Sequence, residues 1–145
     1  MAVNLRKSIK ILIVCLSGLL YIFSLTKNCY CETDSCAGSL PVAIFGFVGA
    51  FNYGQTYLVW LANPLLWASW VFIFFKPKVS VFLSVLAFLI ALAFLLCVDI
   101  KDPNTGVYHK IISREAGYWL WLSSIGTMLL GTIMVREKKS ENTIP

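Results

Sequence analysis

The sequence predicts an all-α membrane protein: a four-transmembrane-helix bundle with a short extra helix, interfacial or re-entrant, on its outer side. Hydrophobic residues make up 59% of the 145 positions and charged residues only 13%, a balance that suits hydrocarbon better than water. The charges are spaced so that they leave long gaps, and a helix needs about 20 apolar residues to cross a bilayer core. Within the uncharged cores of those gaps there is no Asp, Glu, Lys, Arg or His at all. The predicted spans are 9–26, 56–75, 79–98 and 116–135, joined by outer loops 27–55 and 99–115, in one integral membrane domain covering 1–145.

The first span begins after "NLRKSIK" and lies between Lys10 and Lys27, which bracket sixteen uncharged residues. A run this short also suits the apolar core of a secretory signal peptide, but no convincing small-x-small cleavage site follows it. Lys10 and Lys27 can snorkel from both ends, so a retained anchor helix is expected.

Asp34 and Lys76 bracket forty-one uncharged residues, room for one crossing or two. One crossing places eight Lys and Arg on the cytoplasmic side and leaves four (Lys27, Lys101, Lys110 and Arg114) outside, whereas two crossings split them six and six. The positive-inside rule therefore selects one. The crossing is "TYLVWLANPLLWASWVFIFF", ending at the cationic turn "KPK", and the glycine-rich "LPVAIFGFVGAF" before it is the extra outer helix. Lys78 to Asp99 and Glu115 to Arg136 each bracket twenty residues, the third and fourth spans. Both termini then lie in the cytoplasm, with the chain in a bacterial inner membrane. Topology accounts for the basic pI of about 9.0, so the net charge gives no support to nucleic-acid binding. The tail "REKKSENTIP" reads as polar and frayed.

In the second outer loop Pro103, Asn104 and Gly106 are turn formers, and "VYHKII" suits a short strand. His109 in that loop is expected to be a solvated surface residue. In the first outer loop, "TKNCYCETDSCAG" holds Cys29, Cys31 and Cys36, while Cys97 stands at the outer end of the third span. Four thiols at one level on an oxidising side suggest two disulfides. A C-x-C pair rarely closes on itself because the ring is strained, so Cys36 is expected to pair with Cys29 or Cys31, and Cys97 with the other. The spacing C-x-C-x4-C with no nearby histidine matches no common zinc pattern, and no metal or cofactor is expected.

Within the second span Trp60, Asn63, Trp67 and Trp70 recur at helical spacing, and Pro64 cannot donate to the Trp60 carbonyl, which predicts a kink. An amide beside three indoles makes either a small polar pocket or, as expected here, a contact in which Asn63 bonds to another helix and the indoles fill the kink. The fourth span opens with "GYWLWLSS", where Tyr118, Trp119 and Trp121 suit an interfacial aromatic belt. Deeper, Ser123, Thr127 and Gly131 form a small-residue stripe, expected to pack on Ala87 and Ala91 of the third span. Ser80, at the inner edge of the third span, is expected to tolerate leucine better than Asn63 does.

At "WLANPLLW" and "GYWLWLSS" the chain resembles a group of small uncharacterised bacterial multi-pass membrane proteins. That resemblance spans the second to fourth helices and implies a topology but no activity.

The functional expectation follows from what the spans lack. Proton relays and ion-coupled carriers need an ionisable group at depth, and no nucleophile, base and orienting group occur together in the sequence. A non-enzymatic protein acting through protein–protein contact, an accessory subunit or an immunity-type protein, is expected. Its partners would be the lipid bilayer and a membrane or extracytoplasmic protein, or a second copy of itself. The alternatives are an extracytoplasmic thiol–disulfide oxidoreductase, which shares with such enzymes four helices and outer-loop cysteines, and a passive channel for a neutral solute.

Overall fold

A computed structural model describes residues 2–33, 35–52, 55–102 and 106–141. The charge-free apolar runs become helices, the form in which a segment satisfies its own backbone hydrogen bonds. They are α1 (Ala2–Leu25), α2 (Ser39–Asn52), α3 (Ala62–Phe75), α4 (Pro77–Ala93) and α5 (Ala116–Glu141). A 3-10 segment, Gln55–Leu61, leads directly into α3, and another, Phe94–Leu96, ends α4. Four stretches are long and apolar enough to cross a membrane: Leu5–Leu25, Leu58–Phe75, Pro77–Leu96 and Ala116–Val135. At 14 residues, α2 reaches only about 21 Å, short of a bilayer core.

The bundle is held in the order α1, α5, α4, α3, each helix packing chiefly on its neighbour in that series. Its core is Tyr21, Leu66, Ile73, Ala87, Ile125 and Met128 with their neighbours. Leu12, Leu19, Phe75, Leu89 and Leu130 face outward, the arrangement expected where the surrounding solvent is hydrocarbon.

The protein is mostly helical but not all-α. The two loops at one end of the bundle form a four-stranded antiparallel sheet of order β2-β1-β4-β3, from β1 (Asn28–Glu32), β2 (Cys36–Gly38), β3 (Asp99–Lys101) and β4 (Tyr108–Arg114). The polar, cysteine-rich first loop carries little strand signal of its own. Its pairing partner is far along the chain, with Tyr30 opposite Arg114 and Cys31 opposite Ser113. Gly106 takes a positive φ of 72°, and the β3–β4 turn is closed by backbone bonds from Gly106 to Asp102 and from Asp102 to Val107. The other expected turn residues, Pro103 and Asn104, lie outside the described residues. Tyr30, Ile100 and Ile111 on the sheet pack against Phe94 and Tyr118 at the helix ends, forming a second core.

Pro64 does not kink a continuous helix. It occupies the third position of α3, directly after the 3-10 segment, so the donor it lacks falls at the change of helical geometry. The chain changes instead from 3-10 to α geometry between Leu61 and Ala62.

Candidate functional site

The second span is the hub of the bundle, and its polar atoms point to three different elements. The Trp60 indole donates to the Ala43 carbonyl of α2 at 2.8 Å, and its ring lies against Gly46, where any Cβ would collide with it. Asn63 is buried and accepts from the Trp121 indole of α5 at 2.9 Å. Trp70 donates to the Ser17 hydroxyl of α1 at 2.9 Å. Edge-on contacts of Tyr21 with Trp67 and Trp70 and of Trp60 with Trp67 join these groups into one aromatic seam. The amide and indoles are occupied by helix-to-helix contacts, and Trp67 keeps one side exposed.

A second polar feature was not singled out from the sequence. Ser17 and Ser124 are fully buried and bond across the α1–α5 seam at 3.2 Å between hydroxyls, Ser17 also donating to the Ser124 carbonyl at 2.9 Å. Near the α3–α4 turn, the Ser69 hydroxyl stands 2.9 Å from those of both Ser80 and Ser84, and Ser84 reaches Thr132 of α5 at 3.4 Å. Ser80 is therefore not a tolerant edge position: it has no exposed surface and donates to the Ser69 carbonyl at 2.9 Å. The available signal was the pairing of serines on either side of the "KPK" turn. A hairpin with so short a turn brings such positions together.

The small-residue stripe of α5 does not pack on α4 as expected. Gly131 is pressed against Ile13 of α1, leaving no room for a Cβ, whereas Gly126 faces Phe88 of α4 at ordinary contact distance. Ser123 is exposed and Thr127 half-buried. Ala87 and Ala91 of α4 are fully buried, and the Tyr118 hydroxyl donates to the Ala91 carbonyl at 3.1 Å. Tyr118 thus belongs to the core and not to an aromatic belt, while Trp119 is exposed.

At the sheet end Cys31 and Cys36 face each other across the β1–β2 hairpin and form a disulfide. The expected second pairing is not formed: Cys29 and Cys97 are free thiols, Cys29 on β1 and Cys97 past the end of α4. The β1–β2 register shifts between Asn28 and Tyr30, a bulge that turns Cys29 inward with Tyr30. Burial pushes the Cys29 thiol up to about 11, with a side-chain contact to Ser39 acting in the opposite direction. Cys97 donates weakly to the Ala93 carbonyl at 3.7 Å.

Arg114 caps the same end of α4. One guanidinium nitrogen donates to the carbonyls of Phe94, Leu95 and Cys97 at 3.2, 3.1 and 2.7 Å, and the cation sits 5.8 Å from the Phe94 ring. These carbonyls lie at the helix end, where Phe94 also accepts from the Cys97 N–H at 3.2 Å. His109 is half-buried, 3.7 Å from the Glu32 carboxylate on the neighbouring strand.

Among the described residues no group of three or more His, Cys, Asp or Glu is placed to hold a metal ion. Comparison with known families, with curated proteins and with solved structures gives no match for this chain.

Proposed function

We propose that the chain is a multi-pass membrane protein, with both termini cytoplasmic and the sheet outside, that works by protein–protein contact and not by catalysis. The observation that carries this reading is how the intramembrane polar groups are used. Asn63 is bonded to Trp121, Ser17 to Ser124 and Trp70, and Ser69 to Ser80 and Ser84. They are committed to holding the helices together, which supports a rigid scaffold and speaks against a solute path. The sheet offers a contact surface instead: Tyr108 and Ile112 on β4 are 69% and 62% exposed, on an element fixed to the bundle by the Arg114 cap. An accessory subunit or immunity-type protein fits this combination.

The test is gentle purification from the native membrane followed by mass measurement of the intact assembly. A stoichiometric protein partner, or a second copy, that is lost in Tyr108→Ala/Ile112→Asp supports the proposal. A monomer that retains no partner in native membranes contradicts it. The thiol–disulfide oxidoreductase reading draws on the two free thiols beside a disulfide. The raised Cys29 ionisation opposes it as a turnover mechanism, because the thiolate is the nucleophile.

A further inference from the structure

The sheet ends on one side at β3, the outermost strand in its order, which pairs with β4. The bonds to β4 run through alternate residues. The Val98 carbonyl accepts from the Ile111 N–H and the Asp102 N–H donates to the Val107 carbonyl, both at 2.8 Å, with Ile100 opposite His109 between them. In an antiparallel ladder the intervening residues turn their N–H and C=O groups the other way, so those of Asp99 and Lys101 point to the outer edge. Ile100 is buried in the core beneath the sheet, while Asp99 is exposed and Lys101 half-buried on the opposite face. Sheets commonly guard such an edge with charge, and a lone lysine would repel a second copy. Here the strand reads Asp-Ile-Lys, with opposite charges on either side of the central isoleucine. Laid antiparallel on itself about Ile100, it sets Asp99 of each copy against Lys101 of the other. A two-fold axis at Asp99 or at Lys101 would set like charges opposite each other, which is unfavourable.

We propose that β3 pairs antiparallel with β3 of a second copy, centred on Ile100, so that one continuous sheet runs across a two-fold dimer. Asp99 of one copy and Lys101 of the other then exchange both backbone hydrogen bonds, and their side chains form an ion pair on the outer face. The symmetry suits a membrane. The sheet lies across the end of the bundle, with Tyr30, Ile100 and Ile111 packed on Phe94 and Tyr118. The two-fold axis of an antiparallel pair is perpendicular to the sheet, so here it runs along the bundle, and both copies keep one orientation in the same bilayer. Leu96 and Val98, 83% and 57% exposed directly before β3, add apolar surface beside the strand.

The inference rests on the contact reading above and names the partner as a second copy of the chain. The test measures the intact mass of the full chain released gently from its native membrane, expressed in two differently tagged forms. The unaltered chain should be a dimer. Lys101→Glu sets carboxylates opposite each other and should be monomeric. Asp99→Lys/Lys110→Glu sets lysines opposite each other between copies, keeps opposite charges where Asp99 faces Lys110 across β3 and β4, and should also be monomeric. Expressed together, these two variants should form a mixed dimer, because each meets the charge it lacks; recovering that dimer shows that both chains fold. Lys101→Pro should be monomeric as well, since it removes an edge N–H and leaves the bonds from Ile100 and Asp102 to β4 in place. A dimer that survives all three changes, or charge variants that stay monomeric when combined, would overturn β3 pairing. A single copy holding a different protein would overturn this inference alone, and a single copy holding nothing would overturn the contact reading with it.

Discussion

Replacing Ser80 by leucine should be among the most damaging single changes in the bundle, although the residue stands beside a cationic turn in a long apolar run. Ser80 has no exposed surface, its hydroxyl donates to the Ser69 carbonyl, and the Ser69 hydroxyl stands 2.9 Å away. Leucine removes both contacts. Interhelical hydrogen bonds in membranes average about 0.6 kcal/mol each, so their loss accounts for roughly 1 kcal/mol. Ser69 is cushioned, because it still reaches the Ser84 hydroxyl and the Ser80 carbonyl. The larger effect is volume: forcing extra methyl groups into a filled seam typically costs about 1–3 kcal/mol. Together these give roughly 2–4 kcal/mol for Ser80→Leu and about 1 kcal/mol for Ser80→Ala. Reversible unfolding in a denaturing detergent titration measures both, with Ser123→Leu as the control because Ser123 is exposed. If Ser80→Leu is no more destabilising than Ser123→Leu, the hydroxyl cluster does not hold the α3–α4 hairpin and the reasoning fails.

Gly46→Val should displace the Trp60 ring and break its bond to Ala43, costing about 1–3 kcal/mol, which detergent unfolding and a shift in indole emission would register. Arg114→Leu should remove the guanidinium from the Phe94, Leu95 and Cys97 carbonyls, leaving Phe94 its bond from the Cys97 N–H, and loosen the β4–α4 junction, seen as faster proteolysis within 97–115, while Arg114→Lys, with one point charge in place of a fork, restores only part of the protection. Stability of the reduced protein should fall with alkali. The Cys29 thiol ionises at about 11 when folded against a usual 9.0, so the unfolded chain releases its proton first as pH rises through 9. Stability contributed by the protonated thiol is therefore present below pH 9 and lost towards pH 11, by up to roughly 2–3 kcal/mol. Comparing the pH dependence of Cys29→Ser with that of the parent isolates this effect, and identical alkaline slopes would refute it.

The four long apolar helices were legible because a charge in hydrocarbon is so costly that its absence marks a stretch able to cross, without any packing information. The contact through Asn63 was legible for a related reason: one amide in a long apolar run must find a partner, and tryptophans at helical spacing show the face. The sheet was not. "NCYCE" has no apolar alternation to speak of, and becomes a strand because β4 lies beside it and Cys31 meets Cys36 across the hairpin. By charge alone Arg114 is only a topological marker, although its position at the end of β4, two residues before α5, places it over the end of α4. Serines were passed over because a single hydroxyl bonds readily to its own helix. Ser69, Ser80 and Ser84 acquire their role only when the hairpin closes. That Gly131 meets Ile13 of α1 and not α4 depends on which helices are neighbours, which gaps between charges cannot reveal.

The most direct measurement is a paired-reporter map of the chain in the cell membrane, using one reporter active only outside the cytoplasm and one active only inside. Fusions after residue 33 and between residues 102 and 106 should give the outside signal. Fusions within the "KPK" turn and at the C-terminus should give the inside signal. An inside signal from the cysteine loop, or an outside signal from the turn between α3 and α4, would contradict a four-span bundle that presents its sheet to the exterior.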